Sequence, residues 1–249
     1  MSDSTMTAWR QWRESPWGRL RYTLAETNLA RHLGPEPLRV LDLAGGDGGD
    51  AVPLALRGHA VTIVDRSADM LVAAKEHADA AGVALDLVEA DVAEHGLDGF
   101  DVVLCHNLVQ HADDATACLA LALAPLRVGG LLSVMALNQR SAPLLAAIRD
   151  TDPVAALAAL ETDQSRSVTL DASQTLHTAE DLGDRLAALG CPVTGHYGIR
   201  AFCDYMADDQ SKADPAFFAD LERLELAVTA RPPYPHLARL FQLTGTKLG

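Results

Sequence analysis

The chain has 249 residues, a formal net charge of −14 and 49% hydrophobic residues. This length is sufficient for one large α/β domain with an elaborated half. The longest apolar runs, such as 119–126, are too short to span a bilayer, and the polar segment 1–7 lacks the features of a signal peptide. These observations argue against a membrane protein and predict a cytoplasmic one.

Charge is distributed unevenly along the chain. Residues 41–190 carry eight Lys or Arg and 23 Asp or Glu, whereas the two terminal segments are close to neutral. Because nucleic-acid affinity depends on neutralising phosphates, we expect any RNA acceptor to approach through the terminal segments. The four cysteines show no CxxC pairing, which predicts reduced thiols and no zinc or other metal site.

The first predicted element is a helix over 8–32, interrupted near 15–18 by residues that break helices. From residue 38 onward, short apolar strands alternate with helices, which indicates a parallel sheet covered on both faces. The predicted strands of this region are 38–43, 60–64, 84–89, 100–105 and 131–137, and the helices between them are 47–57, 67–81 and 113–123.

A long, partly helical insertion then breaks the alternation. The elements predicted after it are a helix over 178–189, a strand over 192–202, a helix near 215–230 and a strand over 237–246. We interpret residues 1–249 as a single domain with four parts. The parts are an N-terminal helical cap or lid (1–35), a cofactor-binding core (36–137), an insertion after the fifth strand that covers the acceptor (138–177) and the C-terminal part of the sheet (178–249).

The first predicted strand runs into a glycine-rich loop with the sequence DLAGGDG, residues 42–48. Glycines at a strand-to-helix turn let the backbone approach a ligand closely, and the following helix presents free N–H groups. The spacing differs from the G-x-G-x-x-G of dinucleotide enzymes. Carboxylates at Asp42, Asp47 and Asp50 would repel a pyrophosphate by about 4 kcal/mol per unit pair at about 4 Å. The loop therefore favours a ligand that carries positive charge.

Further candidate ligand contacts follow the next three predicted strands. Asp65 ends the second strand, where a carboxylate can accept both ribose hydroxyls, and Met70 can pack near an adenine. Asp91 ends the third strand and can accept from the adenine amino group, while the Val92 N–H meets a ring nitrogen. His106 ends the fourth strand, where a methyl-bearing sulfur should lie. Each residue also has a purely structural interpretation, as a helix cap, a core residue, a turn residue or a hydrogen-bonded polar group.

Together with Gly129-Gly130, which are predicted to form a turn at a strand end, these features resemble the class I S-adenosylmethionine methyltransferases over 38–137. The resemblance implies a Rossmann-like seven-stranded sheet with helices on both faces and an antiparallel last strand. It implies S-adenosylmethionine as the cofactor and S-adenosylhomocysteine as the product. Ala44 departs from the family, in which glycine is common there. The predicted cofactor contacts in this region are Asp42, Ala44, Gly45, Gly46, Gly48, Asp65, Arg66, Met70, Asp91, Val92 and His106.

A narrower resemblance rests on 18–21, 126–133, 198–205 and a tail around Glu225 and 233–234. Over nearly its whole length the chain is similar to the bacterial tRNA 5-carboxymethoxyuridine methyltransferases, which methylate the carboxylate of a modified wobble uridine. This similarity implies that Arg21 contacts the cofactor carboxylate and that Arg200 and Tyr205 lie near the acceptor. The chain departs from that group in lacking a lysine-rich stretch in the insertion and in its acidic middle.

Three functions remain open at this point. The first is methylation of an oxygen, carboxylates included, or a nitrogen of a small-molecule acceptor, which the acidic middle favours. The second is carboxyl methylation of tRNA, which the whole-length resemblance favours, and the third is non-catalytic binding of S-adenosylmethionine. A carboxylate acceptor needs no general base and would be oriented by Arg200, whereas a hydroxyl or ammonium acceptor needs a base such as His106, His111 or His177. The candidate catalytic residues are His106, Arg200 and Tyr205.

Overall fold

A computed structural model of the chain describes residues 3–167 and 172–249. Residues 168–171 of the predicted insertion therefore lie outside the described residues. The described chain divides into two compact units. The glycine-loop unit contains Leu29–Met135, Asp181–Gly195 and Leu243–Gly249, and the Arg200 unit contains the described parts of Met1–Asn28, Ala136–Glu180 and His196–Gln242.

Nine strands are formed by the described residues. They are β1 (Arg39–Leu43), β2 (Ala60–Asp65), β3 (Asp86–Glu89), β4 (Phe100–His106), β5 (Leu126–Leu137), β6 (Gln164–Ser167), β7 (Ala172–Thr175), β8 (Val193–Ile199) and β9 (Leu240–Thr246). Seven of them form one sheet in the order β3-β2-β1-β4-β5-β9-β8. This confirms the predicted seven-stranded Rossmann-like sheet. The antiparallel pair β6 and β7, which was not predicted, forms a separate sheet.

Strands β1 to β5 run parallel to one another in the sheet. The last strand, β9, runs antiparallel to β5. Near one end of this pair the Gly129 N–H donates to the Lys247 carbonyl at 2.8 Å, and near the other the Asn138 N–H donates to the Arg239 carbonyl at 3.1 Å. The antiparallel last strand that the resemblance implies is therefore present.

Helices alternate with the parallel strands as predicted. Ser67 caps the helix after β2 by accepting the Met70 N–H, and Gly82 ends it with a φ of 71°. The break predicted near 15–18 falls at Ser15, and Pro16 begins the second helix. The helices are α1 (Asp3–Glu14), α2 (Pro16–Ala30), α3 (Ala51–Leu56), α4 (Ala68–Ala81), α5 (Ala115–Leu123), α6 (Ser141–Leu144), α7 (Pro153–Ala159), α8 (Ala179–Ala188), α9 (Asp209–Lys212), α10 (Pro215–Val228) and α11 (Tyr234–Leu237).

Gly129 and Gly130 lie inside β5, so the prediction of a turn before the fifth strand was wrong. Phe100 pairs with Leu126 but Val102 pairs with Leu131, so β5 contributes extra residues at this point of the ladder. Gly129 has a φ of 77°, which glycine adopts without strain. The two glycines therefore accommodate a bulge near the start of β5 and are not part of the ligand-binding edge.

Aliphatic side chains from β1, β2 and β4 pack with α3 and α4 to form the core of the glycine-loop unit. Burial of these strands on both faces explains their almost continuous apolar sequence. Within the described part of the chain, no helix is long and apolar enough to cross a membrane. The buried members of this core cluster are Leu29, Val40, Ala51, Leu54, Val61, Ile63, Leu71, Ala74, Val102 and Leu104.

Candidate cofactor and acceptor sites

The loop that follows β1 contains three left-handed residues. Ala44, Gly46 and Gly48 have φ angles of 53°, 55° and 76°. At Ala44 a side chain in this conformation costs about 1 kcal/mol relative to glycine. The loop keeps this conformation while the Ala44 N–H donates to the Val64 carbonyl at 2.8 Å, so the methyl group is tolerated there as expected.

Gly45 packs closely against the buried carboxylate of Asp42, with no space for a side chain. A Cβ atom added at Gly45 would lie 2.6 Å from Cγ and Oδ2 of Asp42 and 3.0 Å from Cγ2 of Ile63. Asp42 and Asp47 are both buried, with 2% and 3% of their surface exposed. Because buried carboxylates stabilise positive charge nearby, this part of the loop suits a cationic ligand.

We expect Gly45→Ala to weaken S-adenosylhomocysteine binding about ten-fold or more, because the added methyl group displaces either the loop or Asp42. Isothermal titration calorimetry measures the affinity, and thermal unfolding shows whether stability also falls. Gly34→Ala is the matched control, since no atom lies within 4 Å of the added Cβ. Unchanged affinity in Gly45→Ala would show that ligand binding does not depend on the close approach of Gly45 to Asp42.

Asp65 joins the glycine loop to the start of α4. Its Oδ2 accepts the Gly46 N–H at 3.0 Å and its Oδ1 accepts the Ser67 N–H at 2.8 Å. Each carboxylate oxygen can accept a second hydrogen bond, so the group retains capacity for ligand hydroxyls. Met70 is buried, and its Sδ lies 4.0 Å from the position a Cβ on Gly46 would take. The structure thus brings three predicted contacts together, whereas the predicted contact Arg66 is exposed.

Asp91 follows β3 in an exposed turn. Its Oδ1 accepts the Ala93 N–H at 2.9 Å, and Val92 beside it is half-buried. The Ala90 N–H donates to the Asp65 carbonyl at 3.2 Å, which ties this turn to the end of β2. The second oxygen of Asp91 makes no bond within the turn, so contact with an adenine amino group remains a prediction.

His106, at the end of β4, forms a buried bridge between two side chains. Its Nδ1 lies 3.0 Å from Oδ2 of Asp50, and its Nε2 lies 2.8 Å from Oγ of Ser133. Because a carboxylate only accepts, Nδ1 donates, and in a neutral ring Nε2 accepts from the Ser133 hydroxyl. Neither contact was predicted, although Asp50 stood among the loop carboxylates. The geometry orients the ring, and a proton can reach or leave it only along these two hydrogen bonds.

Arg200 and Tyr205 lie on one short segment of the Arg200 unit. Arg200 is 6% exposed, and its Nε lies 3.0 Å from Oδ2 of Asp204. Its Nη1 donates to the Trp17 carbonyl at 3.2 Å. Tyr205 donates its hydroxyl proton to the Leu237 carbonyl. Burial, reinforced by Asp204, raises the pKa of Tyr205 above its ordinary value, so the phenol stays protonated at neutral pH.

A second arginine, Arg239, belongs to the same cluster. Its backbone N–H donates to the Arg200 carbonyl at 3.0 Å, and its Nη1 donates to Oγ of Ser141 at 3.2 Å. Burial lowers the pKa of Arg239, opposed by the charge of Asp204. No carboxylate among the described residues lies within ion-pair distance of Arg239. This part of the unit therefore carries a second, half-buried positive charge beside that of Arg200.

Arg21, the last predicted cofactor contact, is buried in α2 with its guanidinium 4.4 Å from the ring centre of Tyr22. It belongs to the Arg200 unit, and its contact with the cofactor carboxylate remains a prediction. The described residues contain no group of three or more His, Cys, Asp or Glu side chains that could hold a metal ion.

Residues 40–130 match the family model described as a methyltransferase domain. The chain is 30% identical to the tRNA 5-carboxymethoxyuridine methyltransferase of Escherichia coli (strain K12), with 92% of this chain and 89% of that protein covered. It is 34% identical to the ubiquinone biosynthesis O-methyltransferase of Methylobacterium nodulans, with 48% and 52% covered.

Among solved structures, the fold resembles magnesium protoporphyrin IX methyltransferase from Synechocystis PCC 6803 with bound S-adenosylhomocysteine. The two share 14% identity with a TM-score of 0.65, and the match covers 98% of this chain and 95% of that one. The buried carboxylates of the glycine loop are compatible with a positively charged ligand. The chain therefore belongs to the class I S-adenosylmethionine-dependent methyltransferases, enzymes that use S-adenosylmethionine as their cofactor.

Proposed function

We propose that this enzyme methylates the carboxylate of 5-carboxymethoxyuridine in tRNA. The observation that carries the proposal is the extent of the match to the Escherichia coli enzyme, which spans 92% of this chain. The matched ubiquinone O-methyltransferase spans only 48% of it. The longer match includes the C-terminal residues of the Arg200 unit, where we place the acceptor.

The glycine-loop unit would hold the cofactor through the loop backbone, with Asp65 accepting from the ribose hydroxyls. The cofactor supplies a methyl group on a positively charged sulfur. The buried carboxylates of Asp42 and Asp47 favour that charge, and Met70 beside Gly46 offers an apolar surface for the adenine. The hydrogen bond from the Gly46 N–H to Asp65 supports the assignment of the loop and this carboxylate to one ligand.

The Arg200 unit would hold the acceptor. Arg200 donates from Nη1 to the Trp17 carbonyl and pairs with Asp204 through Nε, and its remaining N–H groups can bind a carboxylate. Arg239 adds a second positive charge, and Tyr205, whose hydroxyl donates to the Leu237 carbonyl, stays neutral and does not repel a carboxylate. Arginine binds carboxylates with favourable two-pronged geometry, so this cluster suits an anionic acceptor better than an amine.

A carboxylate acceptor is ionised at neutral pH and transfers no proton during methylation. Methylation of a carboxylate requires no general base, so His106 can remain in its bridge between Asp50 and Ser133 throughout the reaction. We therefore expect kcat to vary little between about pH 6 and 9, well above the ordinary pKa of a carboxyl group. A steep pH dependence that disappears in His106→Ala would instead assign that ring a proton-transfer role.

The direct test is methylation of tRNA that contains 5-carboxymethoxyuridine, with nucleoside mass spectrometry to detect the methyl ester. An unmodified transcript of the same tRNA is the control, and we expect no methyl transfer to it. Transfer to the transcript, or to neither RNA, would contradict the proposal. Salt dependence of the KM for tRNA would show how much the phosphates contribute to binding.

A small-molecule carboxylate or hydroxyl acceptor is the second candidate. The acidic region 41–190 favours it, because eight basic and 23 acidic residues there repel a polyanion. The 34% identity to the ubiquinone enzyme over about half the chain gives further support. Labelled methyl transfer to a low-molecular-weight cell extract, but not to tRNA, would favour this candidate.

A further inference from the structure

One buried carboxylate, Glu225 on α10, binds three consecutive backbone N–H groups in the segment that follows β8. The N–H groups of Ala201, Phe202 and Cys203 lie 2.7, 2.9 and 2.8 Å from its two oxygens. Only 1% of the Glu225 surface is exposed. Successive N–H groups that converge in this way form a concave site for an anion, and here the anion comes from the chain itself.

Burial of an ionised carboxylate at this depth costs free energy, because the charge loses its contact with water. Desolvation raises the pKa of Glu225 and the charge of Asp204 acts in the same direction, while the three N–H bonds lower it. An apolar side chain could cover the segment without this cost, but it could not bind three N–H groups. The carboxylate therefore specifies the path of the backbone.

Thr229, one helical turn after Glu225, holds the other side of the same segment. Its hydroxyl donates to the Gly198 carbonyl at 2.7 Å, and its own carbonyl accepts the Gly198 N–H at 2.7 Å. Asn28 supports the Thr229 hydroxyl by donating to it at 2.9 Å. We call Glu225 and Thr229 the α10 clamp.

Arg200 lies between the two points that the α10 clamp holds. Its φ of 62° is in the left-handed region. This conformation costs a non-glycine residue about 1–3 kcal/mol and persists only where the surrounding structure imposes it. Gly198 is fixed before Arg200, and Ala201 to Cys203 are fixed after it. The clamp therefore determines where the guanidinium of Arg200 and the phenol of Tyr205 point.

We propose that Glu225, assisted by Thr229, is a positioning residue that aims Arg200 and Tyr205 at the acceptor. This role rests on the proposed function, since that proposal places both residues at the acceptor. Glu225 itself does not touch substrate. Its contribution should therefore be visible in acceptor binding and leave cofactor binding unchanged.

The main test compares Glu225→Gln with Glu222→Gln, the same chemical change on the same helix. Glutamine offers one acceptor oxygen and turns an NH2 group toward N–H donors, so the segment is released. We expect KM for the modified tRNA to rise about ten-fold in Glu225→Gln, with kcat and the S-adenosylhomocysteine affinity close to wild type. Glu222→Gln should match wild type throughout. A wild-type KM in folded Glu225→Gln would overturn the proposal.

Two additions keep the test decisive. If Glu225→Gln does not fold, Thr229→Val removes the hydroxyl contacts to Gly198 and Asn28 but leaves Glu225 in place, and we expect a smaller rise in KM of about three-fold. If the wild type does not methylate the tRNA, the proposed function fails. The positioning role of the α10 clamp is then tested separately, by fluorine NMR of protein containing 3-fluorotyrosine. The Tyr205 signal, assigned by its loss in Tyr205→Phe, should shift in Glu225→Gln while the Tyr22 signal stays fixed. An unshifted Tyr205 signal would overturn the clamp.

Discussion

Asp65→Ala should weaken S-adenosylhomocysteine binding by about 100-fold or more. Under the proposed assignment Asp65 accepts two charge-assisted hydrogen bonds from the ribose, each worth about 1.5–3 kcal/mol, and the substitution would remove both. It also removes the acceptors for the Gly46 and Ser67 N–H groups, which lie 3.0 and 2.8 Å from the carboxylate. Loss of the contact to Gly46 frees the loop that approaches the ligand, so both effects reduce affinity. Isothermal titration calorimetry gives the affinity directly.

Asp69→Ala is the control, since Asp69 lies in the first turn of α4 on the exposed surface and should bind the ligand as the wild type does. Asp65→Asn separates the two effects, because the amide keeps one acceptor oxygen and most of the shape. We expect its affinity to lie between those of the wild type and Asp65→Ala. Equal affinity in the wild type and Asp65→Ala would remove Asp65 from the cofactor site.

Arg200→Ala should lower kcat/KM for the carboxylate acceptor by about 10²–10³. Truncating one partner of a buried, hydrogen-bonded charge pair typically costs about 2–5 kcal/mol, and the acceptor would lose its main cationic contact. The substitution also leaves Asp204 without the guanidinium 3.0 Å away, so the melting temperature should fall as well. Steady-state kinetics and thermal unfolding measure the two effects.

Arg223→Ala is the matched arginine control. The Arg223 side chain is 81% exposed and pairs with Asp220 on the surface, so its removal should change neither kinetics nor stability measurably. S-adenosylhomocysteine affinity should be the same in Arg200→Ala, Arg223→Ala and wild type. If Arg200→Ala retains full kcat/KM with the modified tRNA, the acceptor carboxylate binds elsewhere.

Local sequence patterns were sufficient to predict the strands and turns at the sheet edge that carries the glycine loop. Each βα turn there is encoded within a few residues, by Gly45, Gly46 and Gly48 and by Asp65 at the end of an apolar strand. The Gly129-Gly130 prediction failed because a bulge depends on the register of β4 against β5, which neither glycine reveals alone. Strand pairing is a long-range property, and the same dipeptide suits a turn or a bulge.

The partners of the site residues were missed because they lie far apart in sequence. His106 meets Asp50 from 56 positions away and Ser133 from 27 positions away. Glu225 reaches Ala201 across 24 positions. Its place on the stripe of Phe218, Leu221 and Val228 could have marked it as buried, but nothing within α10 identifies the N–H groups that it binds. The resemblance to the tRNA methyltransferases could suggest Arg200 and Tyr205, but only the fold shows which residues fix their positions.

The bridge at His106 also bears on which acceptors this enzyme can distinguish. An imidazole held by Asp50 at Nδ1 and by Ser133 at Nε2 can exchange a proton only along these two hydrogen bonds. Under the proposed function the acceptor carboxylate is already ionised, so methyl transfer does not use this route. Acids would then be selected over alcohols of the same size through their ionisation at cellular pH.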